Sequence, residues 1–300
     1  YGAFGMRVMI GIPAYNEEAN IRQLLDTLLH DLSEEIETIC VVSSGSQDRT
    51  NEIVRDYERR YSQVLLVAEI ERRGKASALN QMIRIGERFD VIVCLGGDNI
   101  PEDGAIEALL EPFKSEEIGI VGGRPLPLNP RGSFLGWCAH MTMNLHHLVS
   151  LESPKISGEL FAFKSNVVRE MPPGLINDDV YLQSLIEIRN YRSDYVPAAE
   201  VYMMGPRTVE DFVNQRRRVF VGHSQAEFLL GRRIPTYRLR VLRLLKKAMP
   251  TRGVKGSVFC LGFLLLITWS WTLSRWDILR RNLPYRWKIS TTTKRLRYGL

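Results

Sequence analysis

Four short apolar runs, separated by amphipathic stretches, constrain this chain more than any other feature. The runs are residues 7–12, 37–42, 64–68 and 91–95, and the stretches between them cover 17–32, 48–61 and 76–88. In the first stretch Ile21, Leu24, Leu25, Leu28 and Leu29 recur at the spacing of one helical face. Asp48 stands where it can cap the second. The run 91–95 is uninterrupted, as expected of a parallel strand buried on both faces. Strand and helix signals in alternation predict an α/β fold on a doubly wound, mostly parallel sheet flanked by helices. Ligands in such sheets bind at the carboxyl ends of the strands. Those ends carry Pro13, Ala14, Tyr15, Asn16 and Glu17, then Ser43 to Asp48, then Gly96, Gly97, Asp98 and Asn99. All suit one shared polar site.

After residue 123 the strict alternation fades into a proline-rich turn at 125–130, a helix at 134–151, a strand at 157–163 and a helix at 178–189. Composition matters here through its distribution. The formal charge of +6 hides a balance of −11 up to Gly205 and +17 from Pro206 onward. A basic tail usually meets phosphate, on nucleic acid or on anionic lipid. Within it, residues 236–249 form a basic amphipathic helix, and residues 256–274 carry no charge. As a helix those nineteen residues reach roughly 28 Å, close to the thickness of a bilayer's hydrocarbon. Trp269, Trp271 and Trp276 suit an interfacial belt. The expected division is an α/β unit over 6–230 and a basic, membrane-associating region over 231–300, the latter an amphipathic and a hydrophobic helical segment. A buried core helix or an oligomer contact is the alternative for the apolar run, which leaves a homo-oligomer open. Nothing resembles a nucleic-acid-binding module, so no nucleic-acid partner is expected. Cys40, Cys94, Cys138 and Cys260 form no C-x-x-C pair and read as reduced thiols, which places the catalytic part on the cytoplasmic side.

Several clusters could carry chemistry. Asp98, at a strand mouth beside two glycines, can hold a divalent ion together with substrate phosphates, or can cap a turn before Pro101. Arg72, Arg73, Gly74 and Lys75 put cations and amides ahead of a helix, where a phosphate could sit. Asp178 and Asp179 open another helix, and they either cap it or supply a general base. Gln215 and Arg216 to Arg218 offer an amide and guanidinium groups for phosphate oxygens. His140, His146 and His147 do not make an i, i+4 metal pair and read as surface or packing residues.

The order of these clusters resembles that of the family 2 glycosyltransferases of GT-A fold, over residues 7–223. Pro13 to Glu18 looks like the family's opening motif, Gly45 to Thr50 like the second, and Gly74-Lys75 with Ala78 to Asn80 like the third. Gly96-Gly97-Asp98 stands at the metal-binding D-x-D, Asp178-Asp179 at the acidic pair, and Gln215 to Val219 at Q-x-x-R-W. The resemblance implies an inverting transfer from a nucleotide sugar to a hydroxyl or phosphate, with Mg²⁺ or Mn²⁺ at Asp98. Pro13, Tyr15, Glu17, Ser43, Lys75, Asp98, Gln215 and Arg218 would then bind the donor. Asp179 would be the base beside Asp178, and Glu159 would lie on the acceptor side. The membrane region points to a lipid-linked or glycan acceptor and to membrane lipids as partners. Three positions depart from the pattern: Ser43-Ser44 replaces two aspartates, Gly96 the first aspartate of D-x-D, and Val219 the tryptophan that often closes the last motif. The last fits a single transfer better than processive polymerisation. A sugar nucleotidyltransferase is a rival reading, although such an enzyme opens with a Gly-rich, Arg-containing loop, and Pro13 to Glu17 is not one. A non-catalytic glycan- or lipid-binding relative is another.

Overall fold

The structure, a computed structural model, describes residues 5–30, 33–234 and 238–280. It begins β1 (Val8–Ala14), α1 (Ile21–His30), β2 (Ile36–Ser44), α2 (Thr50–Arg60), β3 (Val64–Glu69), α3 (Lys75–Gly86) and β4 (Val91–Leu95). There follow β5 (Asn99–Pro101), α4 (Ala105–Leu110), β6 (Ile118–Pro127), α5 (Phe134–Glu152), β7 (Leu160–Lys164) and α6 (Asp178–Ile188). The remainder is β8 (Arg192–Met203), α7 (Val209–Leu230), α8 (Arg238–Ala248) and α9 (Gly253–Leu279). Residues 281–300 of the expected basic region lie outside the described residues.

The strands form one sheet in the order β3-β2-β1-β4-β7-β6-β8-β5. The first four are mutually parallel, as the alternation of strand and helix predicts. β7 runs antiparallel to both β4 and β6, so the sheet is mixed beyond β4. Side chains alternate across it with the period of two that strands impose. Val8, Ile10 and Ile12 of β1 join Ile21, Leu24, Leu25 and Leu28 of α1 in the core on one face. Met9, Cys40 and Ile92 meet Ala78, Leu79, Met82 and Ile83 of α3 on the other.

Two expectations shift. The proline-rich segment is not a turn: Pro125 and Pro127 continue β6, in parallel register with Val201 and Met203 of β8. β7 pairs with β6 only over Ile120 to Gly122, so no strand lies along the other edge of β6 at those prolines. Proline lacks an N–H and is tolerated on such an unpaired edge. Residues 157–159 are a loop ahead of β7 and not part of it.

The tail does not hang free of the sheet. Trp137, Cys138, Met141 and Leu145 of α5, Phe212 of α7, Ala248 of α8 and Phe263 of α9 form a third apolar cluster. The Trp137 indole donates to Thr251 Oγ1 at 3.0 Å, and Asn144 Nδ2 donates to the Ala248 carbonyl at 2.8 Å. Arg217 of α7 makes a two-pronged ion pair with Asp277 of α9. The residues that α9 buries, Gly256, Phe263, Ser270, Ser274 and Asp277, fall in one stripe. Its other face exposes Val254, Val258, Leu261, Leu265, Trp269 and Leu279.

Candidate active site

The loops after β1, β2 and β4 converge because their strands are adjacent and parallel. Hydrogen bonds lock the first two together. The Asn16 amide donates to Ser46 Oγ at 3.0 Å, the Gln47 amide to Asn16 Oδ1 at 2.8 Å, and the Glu17 amide to Thr50 Oγ1 at 2.7 Å. Asp48 accepts from the Glu18 and Thr50 amides, each at 3.0 Å. It thus ties the start of α2 to the first loop, although the N-cap position itself is Arg49 and not Asp48 as expected. Over these loops opens a cleft of about 1350 Å³, lined by Pro13, Tyr15, Glu17, Lys75, Asp98, Glu159, Asp178, Asp179, Gln215 and Arg218. Ser43 is the exception among the expected donor residues. It is fully buried and donates to Ser46 Oγ at 2.8 Å, while the adjacent Ser44 lines the cleft. Ser44 in turn donates to Glu69 Oε2 at 2.6 Å. The Arg72 guanidinium lies over the Tyr15 ring, 4.8 Å from its centroid.

Asp98 stands half-buried at the floor of the cleft. Burial pushes its carboxyl up to about 6, the nearby Glu159 adds to this, and Lys75 and Arg218 oppose it. It makes no ion pair among the described residues, where no cluster of three or more metal-ligating side chains occurs either. A lone desolvated carboxylate of this kind fits a divalent ion that completes its shell with substrate phosphates. The departure at Gly96 has a local cause. A Cβ there would stand 2.5 Å from Asn99 Nδ2, which donates to the Glu159 carbonyl at 3.1 Å. A second carboxylate at that position would dislodge the bond that holds Glu159 beside Asp98.

The acidic pair divides its work. Asp178 Oδ2 lies 2.9 Å from Lys75 Nζ, which also donates to the Gly158 carbonyl at 3.0 Å. Burial opposes the charge on Lys75, yet Asp178 and Asp179 together hold it above the usual ammonium range. Asp179 makes no ion pair at bonding distance, and burial, followed by its neighbour Asp178, raises its carboxyl above the usual carboxylate range. Such a group accepts a proton more readily than an ordinary aspartate does. Asn177 positions the pair by reaching α7, where its Nδ2 donates to the Val219 carbonyl at 3.2 Å. Gly222 makes room for it, since a Cβ there would lie 2.6 Å from Asn177 Cγ.

Residues 91–290 match the profile described as Glycosyl transferase family group 2, and residues 9–155 match Glycosyl transferase family 2. The chain belongs to the family 2 glycosyltransferases. Among curated proteins it is similar to the poly-beta-1,6-N-acetyl-D-glucosamine synthase of Staphylococcus epidermidis, 27% identical over 78% of this chain and 58% of that one. The synthase of the same name from Staphylococcus aureus is 29% identical over 69% of this chain and 52% of its own length. The chain thus spans just over half the length of these relatives. Among solved structures the family's GT-A fold recurs in the mannosyltransferase PcManGT from Pyrobaculum calidifontis, in complex with GDP-Man and Mn²⁺. That structure has a TM-score of 0.64 at 18% identity, covering 92% of this chain and 88% of that one. Glucosyl-3-phosphoglycerate synthase from Mycobacterium tuberculosis, with Mn²⁺, UDP and phosphoglyceric acid, has a TM-score of 0.55 at 19% identity over 74% and 79%.

For this family 2 glycosyltransferase, sequence reasoning missed Lys155 and His223 and read His146 as a surface or packing residue; all three line the cleft, as does Arg216, which was expected to face phosphate oxygens. The pattern places His146 on α5, but only the fold turns it toward the site. His140 and His147 are packing residues as expected, against the Asn129 carbonyl and the Tyr195 hydroxyl.

Proposed function

We propose that this chain is an inverting, metal-dependent glycosyltransferase that moves a sugar from a nucleotide-sugar donor to an acceptor at a membrane surface. The observation that carries this reading is that Asp98, Asp179 and Arg218, far apart in sequence, line one cleft at the strand ends. Transfer breaks the donor's anomeric C–O bond, and the electron pair leaves with the nucleoside diphosphate. Tyr15, stacked on Arg72, offers the nucleoside a flat face, with Pro13, Glu17 and Ser44 around it. Arg218 and Gln215 face the phosphates from α7, and Lys75 keeps Asp178 neutralised. Asp179 takes the proton of the acceptor oxygen as that oxygen attacks from the opposite face, which inverts the centre. Glu159 lies on the acceptor side. A Mg²⁺ or Mn²⁺ held by Asp98 and the donor phosphates would offset the charge that grows on the leaving group. The solved relatives bound to GDP-Man or UDP with Mn²⁺ support the donor class and the metal. A panel of nucleotide sugars tests it: one of them should raise the melting temperature with Mn²⁺ and not without. No response to any would sink the donor assignment.

The polymer in the synthase relatives' names requires repeated transfer, whereas Val219 favours one; the mass of the extended acceptor decides between them.

Membrane association rests on α9, whose 27 residues have a mean hydropathy of 1.7 in their most apolar window, only 17% of it buried. Its packed stripe fastens it to the domain, so the opposite apolar face needs lipid or another subunit to cover it. Exposed Arg243, Lys246 and Lys247 on α8 suit anionic headgroups, at about 1 kcal/mol each near the surface. The free thiols fit a cytoplasmic position for the catalytic part. The protein should sediment with vesicles, more strongly when they are anionic, and high salt alone should not release it. A soluble monomer in the absence of detergent would contradict the membrane assignment.

A further inference from the structure

Part of the cleft's lining has a chemistry to which the donor assignment gives no role. His146 of α5, Lys155 and Ser157 of the loop after it, and Arg216 and His223 of α7 all line it. Both ring nitrogens of His146, Nε of Arg216 and the Ser157 hydroxyl are buried without a hydrogen-bond partner, although the Ile156 backbone lies close enough to favour the charged form of His146 slightly. His223 engages only Nδ1, with the Val219 carbonyl at 3.0 Å and Asn177 Nδ2 at 3.2 Å. Buried polar groups are normally satisfied, and unmet groups gathered among basic side chains are costly unless something else enters.

The electrostatics agree. Burial, with the charge of Lys155 added, depresses His146 to about 3 and His223 to about 4. Burial lowers Arg216 to about 10, with Arg218 adding to the effect and Glu159 opposing it. Lys155 is lowered by burial and supported by Asp179, which places the cluster beside the proposed base. Each of these groups would regain its charge, or a hydrogen bond, against a phosphate. The groups assigned to the donor are others: Arg72 and Lys75, ahead of and at the start of α3, and Arg218 of α7.

The cleft continues from this cluster along apolar residues, Val241 and Leu245 of α8 and Phe263, Leu264, Ile267 and Trp271 of α9. Its volume of about 1350 Å³ exceeds the usual ~300–1,000 Å³ of a small-molecule site, which leaves space for a second substrate. We propose that His146, Lys155, Arg216 and His223 bind a phosphate group of the acceptor, carried on an apolar chain that lies against α8 and α9. This inference rests on the glycosyltransferase reading and names its acceptor class, a phosphorylated lipid. A phosphate oxygen is then the nucleophile: it bonds to the anomeric carbon as the nucleoside diphosphate leaves with the electron pair of the broken C–O bond, and Asp179 takes the proton that the monoanionic phosphate carries.

The test uses the full chain in detergent and three probes: farnesyl phosphate, farnesol and inorganic phosphate. Farnesyl phosphate should bind at least tenfold more tightly than either of the others. Lys155→Met, which removes the charge and keeps the volume, should weaken farnesyl phosphate at least tenfold and leave farnesol unchanged. Saturating nucleoside diphosphate with Mn²⁺ should not displace farnesyl phosphate. Equal binding of farnesol would overturn the phosphate site, and equal binding of inorganic phosphate would overturn the lipid carrier. Unchanged affinity in Lys155→Met, or competition by the nucleotide, would overturn the assignment of the cluster. Donor binding is read in the same samples. Its loss in the wild type would refute the glycosyltransferase reading itself, whereas its retention alongside a failed acceptor test would refute only this inference.

Discussion

Asp98→Asn should abolish metal-dependent donor binding and lower turnover by roughly 10²–10³-fold, the size of losing one electrostatic group at a developing charge. The variant keeps the shape of the side chain and removes the charge that a divalent ion needs. It should fold at least as well as the wild type. Burial raises the Asp98 carboxyl to about 6, from 3.8. A carboxyl raised on folding makes the folded state weaker as pH climbs past the unfolded value, so its charge opposes folding at neutral pH. A melting temperature equal to or above the wild type's, together with lost Mn²⁺-dependent binding by calorimetry, is the expected pair of results. Unchanged donor affinity would remove Asp98 from the site.

The second large effect is at Asp179. Asp179→Asn should cut turnover by about 10²–10⁴-fold, the range for losing a positioned base, while donor binding changes little. Asp178→Asn should lower the melting temperature as well, because Asp178 pairs with Lys75 at 2.9 Å and its loss leaves that half-buried ammonium less compensated. The wild-type rate should also fall on acidification. A base works deprotonated, and burial and Asp178 hold Asp179 above the ordinary carboxylate range. The acid limb therefore lies at a higher pH than that of a free aspartate, and Asp179→Asn should flatten it. Near-normal turnover in Asp179→Asn would hand the proton to another group.

Much of this site was legible because its donor half lies at strand ends. β1, β2 and β4 are short apolar runs, and the polar residues that come after each of them could only meet at one edge of a parallel sheet. The acceptor half was not legible in the same way. β8 carries Arg192, Asp194, Pro197 and Glu200 among its apolar residues, which hides its alternation, and pairing with β6 along its length decides it instead. α7 is 22 residues long, yet buries few large apolar side chains, because one side of it lines the cleft. Ser43 and Ser44 are the last two residues of β2, so strand alternation turns them to opposite faces, and Ser44 is the one that meets the cleft. The apolar run and the basic stretch mark the tail off in sequence near residue 230. Trp137 and Phe212 share an apolar cluster with Ala248 of α8 and Phe263 of α9, a contact that no local pattern shows, so cutting there would expose that cluster.

The proposed work of the cleft is to break a sugar–diphosphate bond and pass the sugar on. The most direct measurement is product analysis of the full chain in vesicles with Mn²⁺, a panel of nucleotide sugars and a lipid extract as acceptor. One nucleoside diphosphate should be released per sugar transferred, with an inverted anomeric configuration in the product and no release from Asp98→Asn. Pyrophosphate among the products, as from a nucleotidyltransferase, or no turnover of any donor by a protein that still binds the extract, would contradict the claim.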